Sequence, residues 1–194
     1  MIKVSIIGSG NVAQHLITTF QDLEKVGTEV ELVQAFSRKR ESLTHLLPFE
    51  QITTDFNDLQ EADVYLIAVS DDAIASVSEQ LPFKNRLVAH TSGSMPLTML
   101  KDNNRKGVFY PLQSFTKGKA VDFKNIPICV ESENGNDFKV LEKIARVISD
   151  KVYAINSDQR KALHVAAVLS IISLIIFSRL GMTFARRTKF RLTF

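Results

Sequence analysis

The stretch that decides the fold is IIGSGNVAQHL, from Ile6 to Leu16. An apolar run ends on Gly8, a second glycine follows at Gly10, and a helix-like pattern begins at once. Gly8 permits a tight turn out of a strand. Gly10 leaves the backbone bare toward a ligand, and Ala13 is small enough for close packing of helix on strand. Open N–H groups and the dipole at a helix start favour phosphate. G-x-G-x-x-A in this position points to a dinucleotide, with its pyrophosphate over Gly8, Ser9, Gly10, Asn11 and Val12. An ordinary strand–helix turn with convenient glycines is the competing explanation. The flanks favour the dinucleotide: KVSIIG (3–8) reads as a strand, NVAQHLITTFQDLEK (11–25) as an amphipathic helix, and EVELVQAF (29–36) as a second strand.

Strand and helix signals go on alternating to about residue 155. Helical patterns are predicted over 38–47, 56–62, 71–81, 96–101 and 136–150. Strands are predicted over 51–55, 63–69, 86–92, 106–111, 126–130 and 151–155. DVYLIAV (63–69) is nearly continuous in apolar residues, as a strand buried on both faces should be. The alternation predicts an α/β fold: a Rossmann-type, doubly wound, mainly parallel sheet over 1–155. From Ser157 the pattern is helical only, so a second, all-α unit is expected over 156–194.

The end of the second predicted strand carries the next signal. AFSRKR (35–40) has Ser37, Arg38 and Lys39 where an NAD site usually has a carboxylate for the ribose hydroxyls. Serine and arginine hold a 2′-phosphate that a carboxylate would repel, so the cofactor expected is NADP. A solvated basic helix turn is the alternative. Two further strand ends open on the same side of the sheet. Ala68, Val69 and Ser70 follow one, and Thr91, Ser92 and Gly93 follow the other, small residues that leave room for the nicotinamide ribose. Ser70, Asp71 and Ser94 also read as helix N-caps. His90 closes a buried strand and reads as structural, and His15 lies at the rim of the first helix. Cys129, the one cysteine, reads as an inert core residue.

These segments carry a resemblance. VSIIGSGNVAQHL, AFSRKRESL, ADVYLIAVSDDAI, VAHTSGSMPL, GVFYPLQSFTKG and DQRKALHVAAV, in that order, resemble Rossmann-like NADP-dependent oxidoreductases. The likeness is to deazaflavin-dependent NADP reductases and pyrroline-5-carboxylate reductase, in the wider 6-phosphogluconate dehydrogenase-like group. It spans about residues 1–168, and FYPLQSF (109–115) and LHVAAV (163–168) are its specific parts. The resemblance implies hydride transfer between nicotinamide and a small carbonyl or imine substrate. It implies a helical domain that dimerises, with the active site between the domains. By position Pro111, Leu112, Gln113 and Ser114 would border the nicotinamide, and His164 would face the substrate. An imidazole titrates near pH 6.5, which suits proton transfer at neutral pH.

The remaining features bound the function. Of 24 Lys and Arg residues against 21 Asp and Glu, five lie from Arg179 onward, so the rest of the chain is slightly acidic. That distribution argues against a nucleic-acid face. One cysteine leaves no internal disulfide, no Cys/His spacing suits a metal, and no signal peptide is evident, so a cytoplasmic protein is expected. VAAVLSIISLIIF (165–177) is an apolar run of 13 residues, shorter than the ~20 that span a bilayer. After Val168 the likeness to the family ends. A reading frame displaced within codons for Ile172–Ile176 would restore the family's Phe-Thr-Asn-His. Residues 169–194 are therefore expected to be a frameshifted tail, with the helical domain truncated. If the short chain is the functional one, an inactive dinucleotide-binding remnant or a regulatory protein is the alternative to an enzyme.

Overall fold

In the computed structural model β1 (Ile2–Ile7) runs at the centre of an eight-stranded sheet, and α1 (Asn11–Lys25) follows the glycine turn directly. The structure describes residues 1–170 and residue 173. The chain continues through β2 (Val30–Phe36), β3 (Ile52–Thr53), β4 (Val64–Ile67), α2 (Ile74–Glu79), β5 (Leu87–His90), β6 (Arg105–Pro111), β7 (Ile128–Ser132), α3 (Gly135–Ile148) and β8 (Val152–Ala154). A fourth helix, α4, covers residues 157–170. The strand order is β3-β2-β1-β4-β5-β6-β7-β8. The first six strands are parallel and form a Rossmann-type half-turn on each side of β1. The order therefore reverses between β1 and β4, where such sheets bind ligands beyond their carboxyl ends.

The strands alternate faces with a period of two residues. Val4, Ile6, Val64, Leu66, Leu87, Ala89 and Phe109 face one layer, with Leu16, Phe20, Leu141 and Ile144 of α1 and α3. Ile7, Tyr65, Ile67 and Val88 face the other, with Ile74 of α2. Both faces are covered, which explains the unbroken apolar run of β4. β7 runs antiparallel to β6. The segment between them, residues 112–127, stays at the carboxyl edge of the sheet and contains no crossover helix, so the next strand must run back.

Two predicted helices are much shorter than their pattern. Over 38–47 only Arg40–Ser42 form a 3₁₀ turn, and Gln21 of α1 donates to the Leu46 carbonyl at 2.7 Å. Over 56–62 only Phe56–Asp58 form a 3₁₀ turn. There Gln34 accepts from the Gln60 amide and donates to the Asp58 carbonyl. Tyr65 accepts from the Ala62 amide and donates to the Gln60 carbonyl. Side chains from the sheet thus take the backbone groups that a helix would pair. Residues 96–101 likewise form only the 3₁₀ turn Leu97–Met99.

α4 docks by a polar face. Ser157, Arg160 and His164 lie on one side of the helix. Ser157 donates to Glu131 of β7 and accepts from the Leu97 amide at 3.0 Å. The Arg160 guanidinium is fully buried, pairs with Glu131 and donates to the Met95 carbonyl. Leu163, Val165, Val168 and Leu169 stay exposed. The segment expected to be frameshifted, 169–194, lies outside the described residues except for positions 169, 170 and 173. Among the described residues no helix is long and apolar enough to cross a membrane.

Candidate functional site

A cleft of about 1070 Å³ opens at the carboxyl ends of β1, β2 and β4. Gly8, Ser9, Gly10, Asn11 and Val12 form its floor. Gly8 has φ +137°, a conformation that side chains rarely adopt, and a Cβ there would collide with the Ala68 carbonyl. Around Gly10 a Cβ would meet nothing within 4 Å, so this stretch of backbone faces open space. Gly10 caps α1 without a side-chain hydrogen bond, and the first turn holds no acidic residue. The helix start therefore offers unpaired N–H groups and an uncompensated positive dipole end.

Asn11 has a second task. Its side-chain amide donates to the Phe115 carbonyl at 3.0 Å, and His15 Nε2 bonds the Thr116 carbonyl at 3.1 Å. The His15 and Phe115 rings lie 5.0 Å apart. These contacts fasten the segment after β6 across the start of α1 and bring Gln113 and Phe115 into the cleft wall.

At the end of β2, Ser37 and Arg38 line the cleft and Lys39 does not. The Ser37 hydroxyl donates to the Lys39 carbonyl at 2.8 Å, so it shapes the turn. Arg40 is held over the Phe49 ring at 4.0 Å. Among the described residues Arg38 is then the one cationic side chain of the cleft. The opposite wall was not legible in the sequence. Thr54, Asp55 and Phe56 follow β3, Ser76 and Val77 come from α2, and Gln80 stands just past its end. Phe56 stacks on Phe36 with centroids 4.0 Å apart, a flat apolar surface at the cleft edge.

Ala68, Val69 and Ser70 line the cleft where β4 ends, but Thr91, Ser92 and Gly93 do not. Ser92 builds the turn after β5: its hydroxyl accepts from the amides of Ser94 and Met95 at 3.1 and 3.0 Å. Ser92 therefore closes this turn, Pro96 stands at the cap position of the 3₁₀ turn that follows, and Ser94 instead donates to the Asp71 carboxylate. Gly93 serves a contact. A Cβ on it would lie 2.5 Å from Tyr110 Cζ and 2.6 Å from His164 Nδ1. The missing side chain lets Tyr110 and His164 meet, with Tyr110 Oη 2.8 Å from His164 Nδ1.

His90 and Cys129, two further titratable groups of this region, are structural. His90 is fully buried, accepts from the Ser92 amide through Nδ1 and bonds the Pro96 carbonyl through Nε2. Burial, reinforced by the Arg160 charge, pushes its pKa down to about 4, so the imidazole is neutral at pH 7. Burial pushes the Cys129 thiol up to about 11, which makes it a poor nucleophile.

A solved relative now bears on this geometry. A Bacteroides fragilis protein ascribed to the NADP oxidoreductases is 31% identical, with a TM-score of 0.80, over 97% of this chain and 73% of that one. The chain belongs to the NADP oxidoreductase family. Within that family assignment, residues 3–92 match the description "NADP oxidoreductase coenzyme F420-dependent", and residues 126–191 match a domain family of unknown function. A Plasmodium falciparum pyrroline carboxylate reductase with NADP bound has a TM-score of 0.67 at 14% identity, over 98% of this chain and 71% of that one. An imine reductase of Myxococcus stipitatus in complex with NAD+ has a TM-score of 0.70 at 13% identity, over 99% and 67%. At such identities the likeness is one of fold. No curated protein matches the chain.

Proposed function

We propose that the chain binds NADP in this cleft and transfers hydride between the nicotinamide and a small carbonyl or imine substrate. The glycine turn carries the reading. Gly8 is required by the closeness of Ala68, and Gly10 and the uncapped start of α1 leave N–H groups toward open space. The residues present fit the cofactor. The amides of Ser9, Gly10, Asn11 and Val12 would hold the pyrophosphate, Arg38 the 2′-phosphate, and Ala68, Val69, Ser70 and Gln113 the nicotinamide end. When bound, NADPH supplies the hydride, and the substrate's oxygen or nitrogen then takes up a proton. His164 is the candidate donor of that proton, because it stands on α4 beside the turn after β5.

Calorimetric titration of Arg38→Ala with NADPH and NADH tests the cofactor. A charge-assisted hydrogen bond is worth about 1.5–3 kcal/mol, so NADPH should bind about tenfold to a hundredfold more weakly. NADH affinity should hardly change, and an equal loss for both would remove the 2′-phosphate assignment. One observation favours a second reading, binding without turnover: His164 does not line the cleft. NADPH binding with no NADPH oxidation across a panel of small imines, ketones and aldehydes would establish that alternative. We also infer a homodimer formed through the helical unit, a proposal that rests on the family resemblance and is tested by the mass of the chain in solution.

A further inference from the structure

We propose that Tyr110 is a positioning residue for His164, binding its Nδ1 so that the neutral imidazole keeps its proton on Nε2, the nitrogen left for the substrate. The inference rests on the reading that His164 faces the substrate: in the neutral ring Nε2–H would donate a hydrogen bond to the substrate's oxygen or nitrogen, and transfer of a proton would take place from the imidazolium, which carries one on each nitrogen. Its geometry stands independently of that reading.

Tyr110 is buried in β6, and its hydroxyl is 2.8 Å from His164 Nδ1. Among the described residues this is the hydroxyl's one hydrogen bond. A buried O–H needs an acceptor, and the bare nitrogen of a neutral imidazole is one. Burial of Tyr110 pushes its pKa up to about 12, so it remains a phenol and a donor across the neutral range. With Nδ1 accepting, the ring proton of neutral His164 must sit on Nε2. Nε2 makes no hydrogen bond among the described residues.

The surroundings hold the two rings together. They meet edge to face with centroids 5.9 Å apart, and Gly93 supplies the space. One and two helical turns before His164, Arg160 and Ser157 tie α4 to Glu131, Met95 and Leu97. The imidazole is therefore placed by a docked helix and oriented by one hydroxyl. A donor oriented by a second group is a recurring arrangement in acid–base sites.

The test is Tyr110→Phe in the full chain, which keeps the ring and removes the hydroxyl. Nitrogen-15 spectra of histidine-labelled protein, with His164 assigned from a His164→Gln variant, read the tautomer directly. The wild type should show Nδ1 bare and Nε2 protonated, and Tyr110→Phe should show a mixture of tautomers. An unchanged tautomer, or a wild type protonated on Nδ1, would overturn the proposal. With a substrate found in the panel above, Tyr110→Phe should lower kcat by about tenfold or more, as misplacement of an acid group does, with KM for NADPH unchanged. In a His164→Gln background the same substitution should have no further effect. A loss of equal size there would mean that Tyr110 acts through general structure, which also overturns the proposal. If no compound is turned over by the wild type, the proposed activity fails, and the tautomer alone decides the role of Tyr110.

Discussion

Two glycines of one motif are held by different forces. Gly8 answers to the protein: its φ of +137° and the Ala68 carbonyl exclude any side chain. Gly10 is open toward the cleft, since a Cβ there would meet nothing within 4 Å. The two alanine variants should therefore part company. Gly8→Ala combines backbone strain with a steric clash, and we expect a loss of about 3 kcal/mol or more in urea unfolding. Gly10→Ala should fold within about 1 kcal/mol of the wild type yet bind NADPH poorly. A Gly10→Ala protein with full NADPH affinity would remove the pyrophosphate from this turn. The distinction is invisible in the sequence, where both positions are simply glycine. The turn itself was legible because its signal is local, carried by six consecutive residues between a strand and a helix. Gly93, which lies outside the cleft lining, is the opposite case. Its purpose is a contact between Tyr110 and His164, 54 residues apart, and no local pattern records it.

At the scale of elements, periodicity found the strands and the two long helices α1 and α3, whose apolar faces are buried against the sheet. It overestimated the helices at 38–47 and 56–62, because Gln21, Gln34 and Tyr65 compete for their backbone groups from a distance. The docking of α4 inverts the usual amphipathic rule: its polar face meets the protein and apolar residues remain exposed. The joint rests on Arg160, which is wholly buried, has Nε without a hydrogen-bond partner among the described residues, and pairs with Glu131. Removing one partner of a buried pair leaves an uncompensated charge and costs about 3–5 kcal/mol. Glu131→Ala strands the fully buried Arg160, whereas Arg160→Met leaves a partly exposed Glu131 to which the Ser157 amide and hydroxyl still donate. Glu131→Ala should therefore release α4 far more than Arg160→Met does. Hydrogen exchange over residues 157–170 measures it. Equal exchange in the two variants would show that the ion pair contributes only a hydrogen-bonding surface.

For the molecule as a whole, the carboxyl edge of the sheet gathers both the cleft and the joint to α4, and His90 links the strand end to that joint. It lies inside the fold, between the Ser92 amide and the Pro96 carbonyl, with Arg160 lowering and Asp71 raising its affinity for a proton. Its pKa falls from 6.5 in an unfolded chain to about 4 in the native one. Between those values the unfolded state binds more protons, so acidification draws the equilibrium toward unfolding. The stability this residue contributes is complete above pH 6.5 and is lost as the pH falls toward 4, about 3 kcal/mol in all. Protonation would also set a second buried cation beside Arg160, so the acid-labile part of the structure should be the attachment of α4. His90→Gln keeps a donor toward Pro96 and cannot titrate. Urea unfolding of the two proteins at pH 7.5, 6, 5 and 4 should give a difference in stability that varies across this range, the wild type falling more steeply. Parallel curves would mean that the imidazole takes up its proton as readily in the folded chain as in the unfolded one, and that the turn after β5 is open enough to hydrate it.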